Sequence, residues 1–280
     1  MAKLLLILGV AVVTAVIVWV VTTTSTGEAH DLVVTGAYSA GPLLQKIAAR
    51  FQGVNPRDRV AVDGDGSERG LRDVEQGRAD VGLVARDPTP VERRRFHWYS
   101  VARDAVAVIV HAGNPVAALT RADLAAVYGG RVTDWSALRG GAGGPIRPLT
   151  APEDSALRTV FDGFLGTSAG PSAGEPQYGT GMLEAVADDP AAVGYASFAQ
   201  ARVPAHPKVE TVAVNGVAAS PEAIPVGGYP MSHGVYLVTR AAPAGIVDRF
   251  IRYATSPAVQ DLVRDGGFVP AAPRPGPPPQ

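Results

Sequence analysis

Between residues 31 and 84 the chain alternates short apolar runs with amphipathic segments in the order strand, turn, helix, strand, turn, helix, strand, and few folds accept that order. Residues 31–35, 60–62 and 80–84 are rich in Val, Leu and Ala without polar alternation, the pattern of strands covered on both faces. Residues 42–51 place Leu43, Leu44, Ile47, Ala48 and Phe51 on one helical face, with Pro42 in a first turn where its missing N–H costs nothing. Residues 68–76 read as a second helix that Gly77 ends. Strands joined through helices imply an open α/β sheet with helices packed over it.

The strongest strand signal, residues 105–110, is followed by Asn114-Pro115 and by a helix capped at Thr120 that runs through Tyr128. Trp135 lies in a short turn segment, and residues 140–144 form a glycine-rich surface loop. Helices are expected over 156–165 and 182–187, a strand over 193–196, a second strong strand over 234–239, and helices from Gly245 to about Thr255 and from Ser256-Pro257 onward. The two strong strands bracket a middle section with its own strands and helices. Two α/β lobes with two crossovers follow: residues 31–108 with 225–272 as lobe 1, and 109–224 as lobe 2. A cleft between such lobes favours a ligand and hinge closure on it.

Within that frame, three turns carry a hydroxyl to the head of an expected helix: Gly36-Ala37-Tyr38-Ser39, Gly64-Asp65-Gly66-Ser67 and Glu153-Asp154-Ser155. A helix N-terminus exposes unsatisfied N–H donors and roughly half a positive charge, which suits an oxyanion. Ser67 and Ser155 also read as plain N-caps. Arg86, after the third strand, is the best candidate cation, and Arg69 and Arg158 are others. Arg158 falls in a helix first turn, where a cation is unfavourable and calls for an acidic partner; Asp154 is the local candidate. Glu68, Asp87, Glu153 and Asp154 bring carboxylates to the same region.

Other chemistries find little support in the sequence. Formal net charge over 280 residues is −1, so no global basic field points to nucleic acid. There is no cysteine, which removes disulfides, thiol catalysis and cysteine metal sites. The five histidines are scattered and indicate no metal; no nucleophile elbow, Walker loop or dinucleotide fingerprint appears, so neither a cofactor nor an enzyme is expected. Residues 4–21 form an apolar run long enough to cross a bilayer, behind Lys3, and are read within residues 1–30 as an uncleaved signal anchor that exports the body. Cleavage and secretion is the other outcome. From Pro270 onward the chain is proline-rich and is expected as an exposed tail, with 273–280 disordered.

The segment Leu119-Thr120-Arg121-Ala122-Asp123-Leu124-Ala125-Ala126-Val127-Tyr128-Gly129-Gly130-Arg131-Val132-Thr133-Asp134-Trp135 resembles the "LT…W" segment of the phosphate-binding subunits of bacterial phosphate ABC importers (PstS-like). Asp189-Pro190-Ala191-Ala192-Val193-Gly194-Tyr195, and Val214-Asn215-Gly216-Val217 with Tyr229-Pro230-Met231-Ser232, are similar to further stretches of that family, and the likeness runs over residues 31–272. The resemblance implies a type II periplasmic-binding-protein fold, an inter-lobe cleft that holds phosphate or a related small oxyanion, and ABC permease subunits as partners. It places ligand contacts at Tyr38, Ser39, Ser67, Arg86 and Ser155. The family's clamp arginine falls on Ala151 here, and its Gly-Thr pair on Ala156-Leu157. That departure leaves open a sensory or scaffolding module that kept the fold and lost the anion; a phosphoester hydrolase is a weaker third reading.

Overall fold

The computed structural model describes residues 30–170, 177–202 and 206–271. The apolar run at 4–21 and the tail at 273–280 lie outside them. Among the described residues, no helix is long and apolar enough to cross a membrane.

The first unit follows the expected alternation: β1 (His30–Gly36), α1 (Gly41–Val54), β2 (Asp58–Gly64), α2 (Ser67–Glu75) and β3 (Val81–Val84). A short helix, α3 (Pro90–Arg95), then leads into the long strand β4 (His97–His111). The middle section carries β5 (Ala118–Leu119), α4 (Arg121–Tyr128), β6 (Arg147–Pro148), α5 (Ala156–Leu165), α6 (Thr180–Ala187), β7 (Ala192–Ser197), α7 (Phe198–Ala201), β8 (Val209–Thr211) and β9 (Ala213–Val214). The chain closes with β10 (Ser232–Thr239), α8 (Gly245–Ala254), α9 (Gln260–Asp265) and β11 (Val269–Pro270). The sheet runs β2-β1-β3-β10-β4-β7-β6, with β8 and β11 also paired to β4. β1 is parallel to both β2 and β3, whereas β10 is antiparallel to β3 and β4.

Strand β4 differs most from its expectation. It extends eight residues before the apolar run, through the charged pair Arg103-Asp104, and serves two groups of strands. Up to Ala105 it pairs with β10 and β11; from Val106 it pairs with β7 and β8. The returning chain lies beside this change, since Ser232 is opposite Ala105 and the Val106 N–H donates to the Met231 carbonyl at 3.1 Å. Asp104, fully buried there, accepts from the Ser197 hydroxyl at 2.6 Å and the Ala199 N–H at 3.1 Å, so β7 and α7 are tied to the switch. Pro270 was expected in the tail but is the last residue of β11, opposite Ala102; a proline at a strand's end removes no ladder bond the sheet needs.

Two large apolar clusters fill the interior. One packs β1 and β3 against α1, α8 and α9 through Leu32, Val34, Leu44, Ile47, Phe51 and Phe250. The other gathers Val106, Leu124, Tyr128, Trp135, Phe161 and Tyr195 around the second half of β4. Most of the residues of the Leu119–Trp135 segment that carry the family likeness are therefore core, not site.

The turns that matter leave the same edge, where the parallel strands β1, β2 and β3 end. Ligands of open α/β sheets bind at such carboxyl ends. Gly36 is opposite Gly64 and Leu83 there. Its carbonyl accepts from the Asp65 and Gly66 N–H groups, both at 2.9 Å, while the Ala37 N–H donates to the Leu83 carbonyl at 2.8 Å. Gly36 has φ +148°, and a Cβ on it would be 2.0 Å from the Leu83 oxygen. Helix α2 also comes close, since a Cβ on Gly70 would be 2.6 Å from the Thr35 carbonyl oxygen. Gly70→Ala is therefore expected to push α2 off β1 and to cost about 1–3 kcal/mol, the usual range for overpacking. A urea midpoint unchanged from wild type would show that the contact yields freely.

Candidate functional site

Each of the three hydroxyl turns ends at a helix head, and all three heads line one recess. From β1 the turn brings Ala37, Tyr38 and Ser39 to the start of α1; from β2, Gly66 and Ser67 open α2; from the middle section, Ser155, Ala156 and Leu157 open α5. The recess is narrow, with a cavity volume of about 20 Å³, well below the usual range of ligand pockets. A fourth head joins them that sequence reasoning missed: Tyr178 and the N-cap Gly179 of α6. Its sequence signal was the Gly179-Thr180-Gly181 turn, a glycine and a hydroxyl before an apolar helix.

Neither the Ser67 nor the Ser155 side chain makes a capping bond. At α2 the N-cap is Gly66, and the Ser67 side chain, fully buried, accepts from the Ala85 N–H at 3.1 Å. That bond leaves the Ser67 hydroxyl proton available to the recess. Ser155 is the N-cap of α5, yet its hydroxyl makes no capping bond. Ser39 precedes the N-cap Ala40 of α1 and is buried at the recess wall.

The loop before α5 is fixed from beneath. Ala151 has both backbone groups held: its N–H donates to the Tyr195 phenol oxygen at 3.0 Å, and its carbonyl accepts from Arg158 at 3.1 Å. Tyr195 stacks on Phe161 with centroids 4.0 Å apart, and the Tyr128 hydroxyl donates to the Leu149 and Val193 carbonyls. Arg158 also donates to the Ala169 carbonyl at 2.6 Å and pairs with Asp162 at 2.9 Å. Asp154 is not its partner. An i,i+4 carboxylate one turn on, together with two carbonyls, offsets its unfavourable place in the first turn.

Tyr38 and Tyr178 meet at the recess with ring centroids 4.8 Å apart, and the Tyr178 hydroxyl donates to Asp154 at 2.7 Å. Burial and then that bond push the Tyr178 phenol up to about 12; burial, Asp65 and Asp154 raise that of Tyr38. Both stay neutral O–H groups at ordinary pH.

Arg86 is elsewhere. It does not line the recess, and its buried guanidinium binds Glu92 bidentately at 2.7 and 2.8 Å and Glu68 at 2.7 Å. It is held between two carboxylates instead of standing as an uncommitted charge. Burial lowers its proton affinity, but the bonds to Glu92 and Glu68 more than offset this and raise it above the ordinary value. The Arg86 bonds in turn bring Glu92 down to about 2, against some desolvation and with help from the Thr89 N–H. Sequence reasoning did not find Glu92, although Thr89-Pro90-Val91-Glu92 is a capping box and heads α3. Of the other carboxylates, Asp87 accepts from the Gly234 N–H and the Tyr236 hydroxyl, and Arg69 is spent on Asp65 and Asp73. Among the described residues, no cationic side chain lines the recess and no group of acidic or histidine side chains could hold a metal.

A sequence model of the PBP superfamily domain matches residues 21–258. The chain belongs to the PBP superfamily. Its relatives include the phosphate-binding protein PstS of Bacillus subtilis, 25% identical over 86% of this chain and 80% of that protein. Among solved structures, it resembles a protein from Clostridium perfringens, assigned as a phosphate ABC transporter substrate-binding protein, with bound phosphate. The TM-score is 0.78 at 25% identity, covering 87% of this chain and 100% of that one. An ABC-type phosphate transport receptor from Vibrio cholerae shares the fold, with TM-score 0.73 at 24% identity over 85% and 99% of the two chains.

Two outcomes separate the roles of the serines and acids in this PBP domain. Ser67→Ala strands the buried Ala85 N–H and is expected to cost about 1–3 kcal/mol, while Ser155→Ala should leave stability within about 0.5 kcal/mol; equal midpoints in denaturant would contradict this. The folded-state value of Glu92 lies below its ordinary 4.5, so the stability it contributes is complete above pH 4.5 and is lost as pH falls through about 2. Urea midpoints measured from pH 6 to 2 should fall less steeply in Glu92→Gln than in wild type.

Proposed function

We propose that this PBP-superfamily chain is an extracytoplasmic solute-binding protein that captures a small oxyanion, phosphate first, and presents it to the permease of an ABC importer. The observation that carries this reading is the convergence of four helix N-termini on one recess, with the Ser155 hydroxyl left uncommitted at its wall. The B. subtilis relative is named for phosphate binding, and the C. perfringens structure holds phosphate.

In this reading the anion takes backbone N–H donors and the hydroxyls of Ser39, Ser67, Ser155 and Tyr38. Arg86 contributes at one remove: by binding Glu68 and Glu92 it cancels two carboxylates that would otherwise repel the ligand. Arg158, buried under the α5 loop, adds positive potential without touching the anion. The lobes are residues 31–108 with 225–272, and 109–224. Near these boundaries, just inside the first lobe, the two chain passes run side by side at Ala105-Val106 and Met231-Ser232, and the lobes hinge beside that point. Closure brings the α5 and α6 heads onto those of α1 and α2. Residues 4–21 anchor the protein in the membrane, a reading supported by an apolar run interrupted only by Gly9 and Thr14.

Calorimetric titration tests the assignment. Phosphate is expected to bind with submicromolar affinity, and Ser155→Ala to weaken it about 10- to 150-fold, the equivalent of one hydrogen bond to a charged group at roughly 1.5–3 kcal/mol. Absence of heat and of thermal shift with phosphate and sulfate would remove the solute-capture reading and favour a scaffold.

A further inference from the structure

Two tyrosines form the outermost lining of the recess. Tyr38 and Tyr178 are 37% and 40% exposed, whereas Ser39, Ser67 and Ser155 behind them are only 7%, 0% and 9% exposed. The way to those hydroxyls runs past the two rings. The rings come from opposite sides. Tyr38 follows β1 and lies over the turn after β2, where a Cβ on Gly64 or on Gly66 would be 3.6 Å from its ring carbons. Tyr178 precedes α6 in the middle section, and its hydroxyl is tied at 2.7 Å to Asp154, just before α5. The ring centroids meet at 4.8 Å with the planes tilted by 48°. The Asp154 carbonyl makes a second approach across the same line, 3.8 Å from where a Cβ on Gly66 would be.

The space behind the rings is about 20 Å³. A single water needs about 10–15 Å³ of such volume, so the recess in this arrangement takes little more than one water-sized group. A tetrahedral oxyanion carries four oxygens around a central atom and needs the heads further apart. The heads of α1 and α2 are fixed to each other through Gly36, and the α5 loop rests on its own support at Ala151. The separation therefore falls between these two bodies, along the line that the rings bridge.

We propose that the Tyr38–Tyr178 contact is a self-closing gate that competes with the ligand: it holds the recess shut and must part before an anion occupies the helix heads. The competition rests on the oxyanion reading of the recess; the shutting does not. A contact made only in the shut form lowers the apparent affinity in proportion to the fraction of molecules it keeps shut. Removing the Tyr178 ring thus tightens binding, the opposite of what the loss of a ligand contact does.

Two measurements on the full chain test this. Amide hydrogen exchange without added anion reads the gate itself. Tyr178→Ala is expected to speed exchange at residues 66–68 and 155–157 by about 2- to 12-fold, the range of an aromatic pair, and to leave β1 and β4 unchanged. Titration with inorganic phosphate, by calorimetry and stopped flow, reads the competition. Tyr178→Ala is expected to bind about 2- to 12-fold tighter than wild type, through faster association. The same substitution in a Tyr38→Ala background, where the partner ring is already gone, should change neither quantity. Exchange that Tyr178→Ala leaves unaltered overturns the gate. Phosphate binding that is weakened or unchanged overturns the competition, and so does a gain as large in the Tyr38→Ala background as in wild type. If neither wild type nor variant binds phosphate, the oxyanion reading and the competition fall, and the exchange result still decides whether the pair holds the recess shut.

Discussion

The site depends on a close backbone contact at the end of β1. Gly36 joins three strands at one point: its carbonyl collects two N–H groups from the turn after β2, and the next residue bonds to Leu83 of β3. Because these are backbone bonds at a position without a Cβ, the heads of α1 and α2 are fixed relative to each other before any ligand arrives. The same close packing recurs at Gly70, which lets α2 lie directly on β1. Preorganised donors of this kind need little rearrangement when an anion enters, so their field is available to binding instead of being consumed by ordering.

The α5 side achieves the same end with side chains. Its loop carries no strand register, and Tyr195 and Arg158 hold Ala151 by its N–H and carbonyl instead. The stacked Phe161 packs against Tyr195, and Asp162 holds Arg158 in place. A cation that would be mildly unfavourable on an exposed first turn thus becomes a buried support beneath the helix head. At Ala151 the guanidinium of Arg158 acts through the backbone carbonyl.

Charge is arranged by cancellation. Arg86 lies between Glu68 and Glu92, Asp154 engages a tyrosine hydroxyl, and Asp87 faces β10. What faces the recess is largely neutral: hydroxyls, phenols, backbone N–H groups and some carbon. Selectivity in such a site comes from shape and hydrogen bonding more than from net attraction.

Much of the architecture was legible in order and period. The helix expected over 156–165 is α5 to the residue, because its apolar spacing and the Gly166 stop are local signals. The hydroxyl turns at Ser39, Ser67 and Ser155 were visible because glycine and hydroxyl residues before a helix have one main local use. Strand β4 was found only in its apolar half, since Arg103 and Asp104 break the pattern and are tolerated only because neighbouring strands and loops satisfy them. Partner choice was beyond local reading. That Arg86 pairs with Glu92, that Arg158 turns to Asp162, and that Tyr178 reaches Tyr38 from 140 residues away are set by packing. The sequence by itself determined the α/β alternation and the chemistry carried to each helix head, since both arise from interactions within a few residues. Only the tertiary structure decided that four heads share one recess and that its cations are spent elsewhere. Those outcomes depend on contacts between segments far apart in the chain, and no local pattern encodes them.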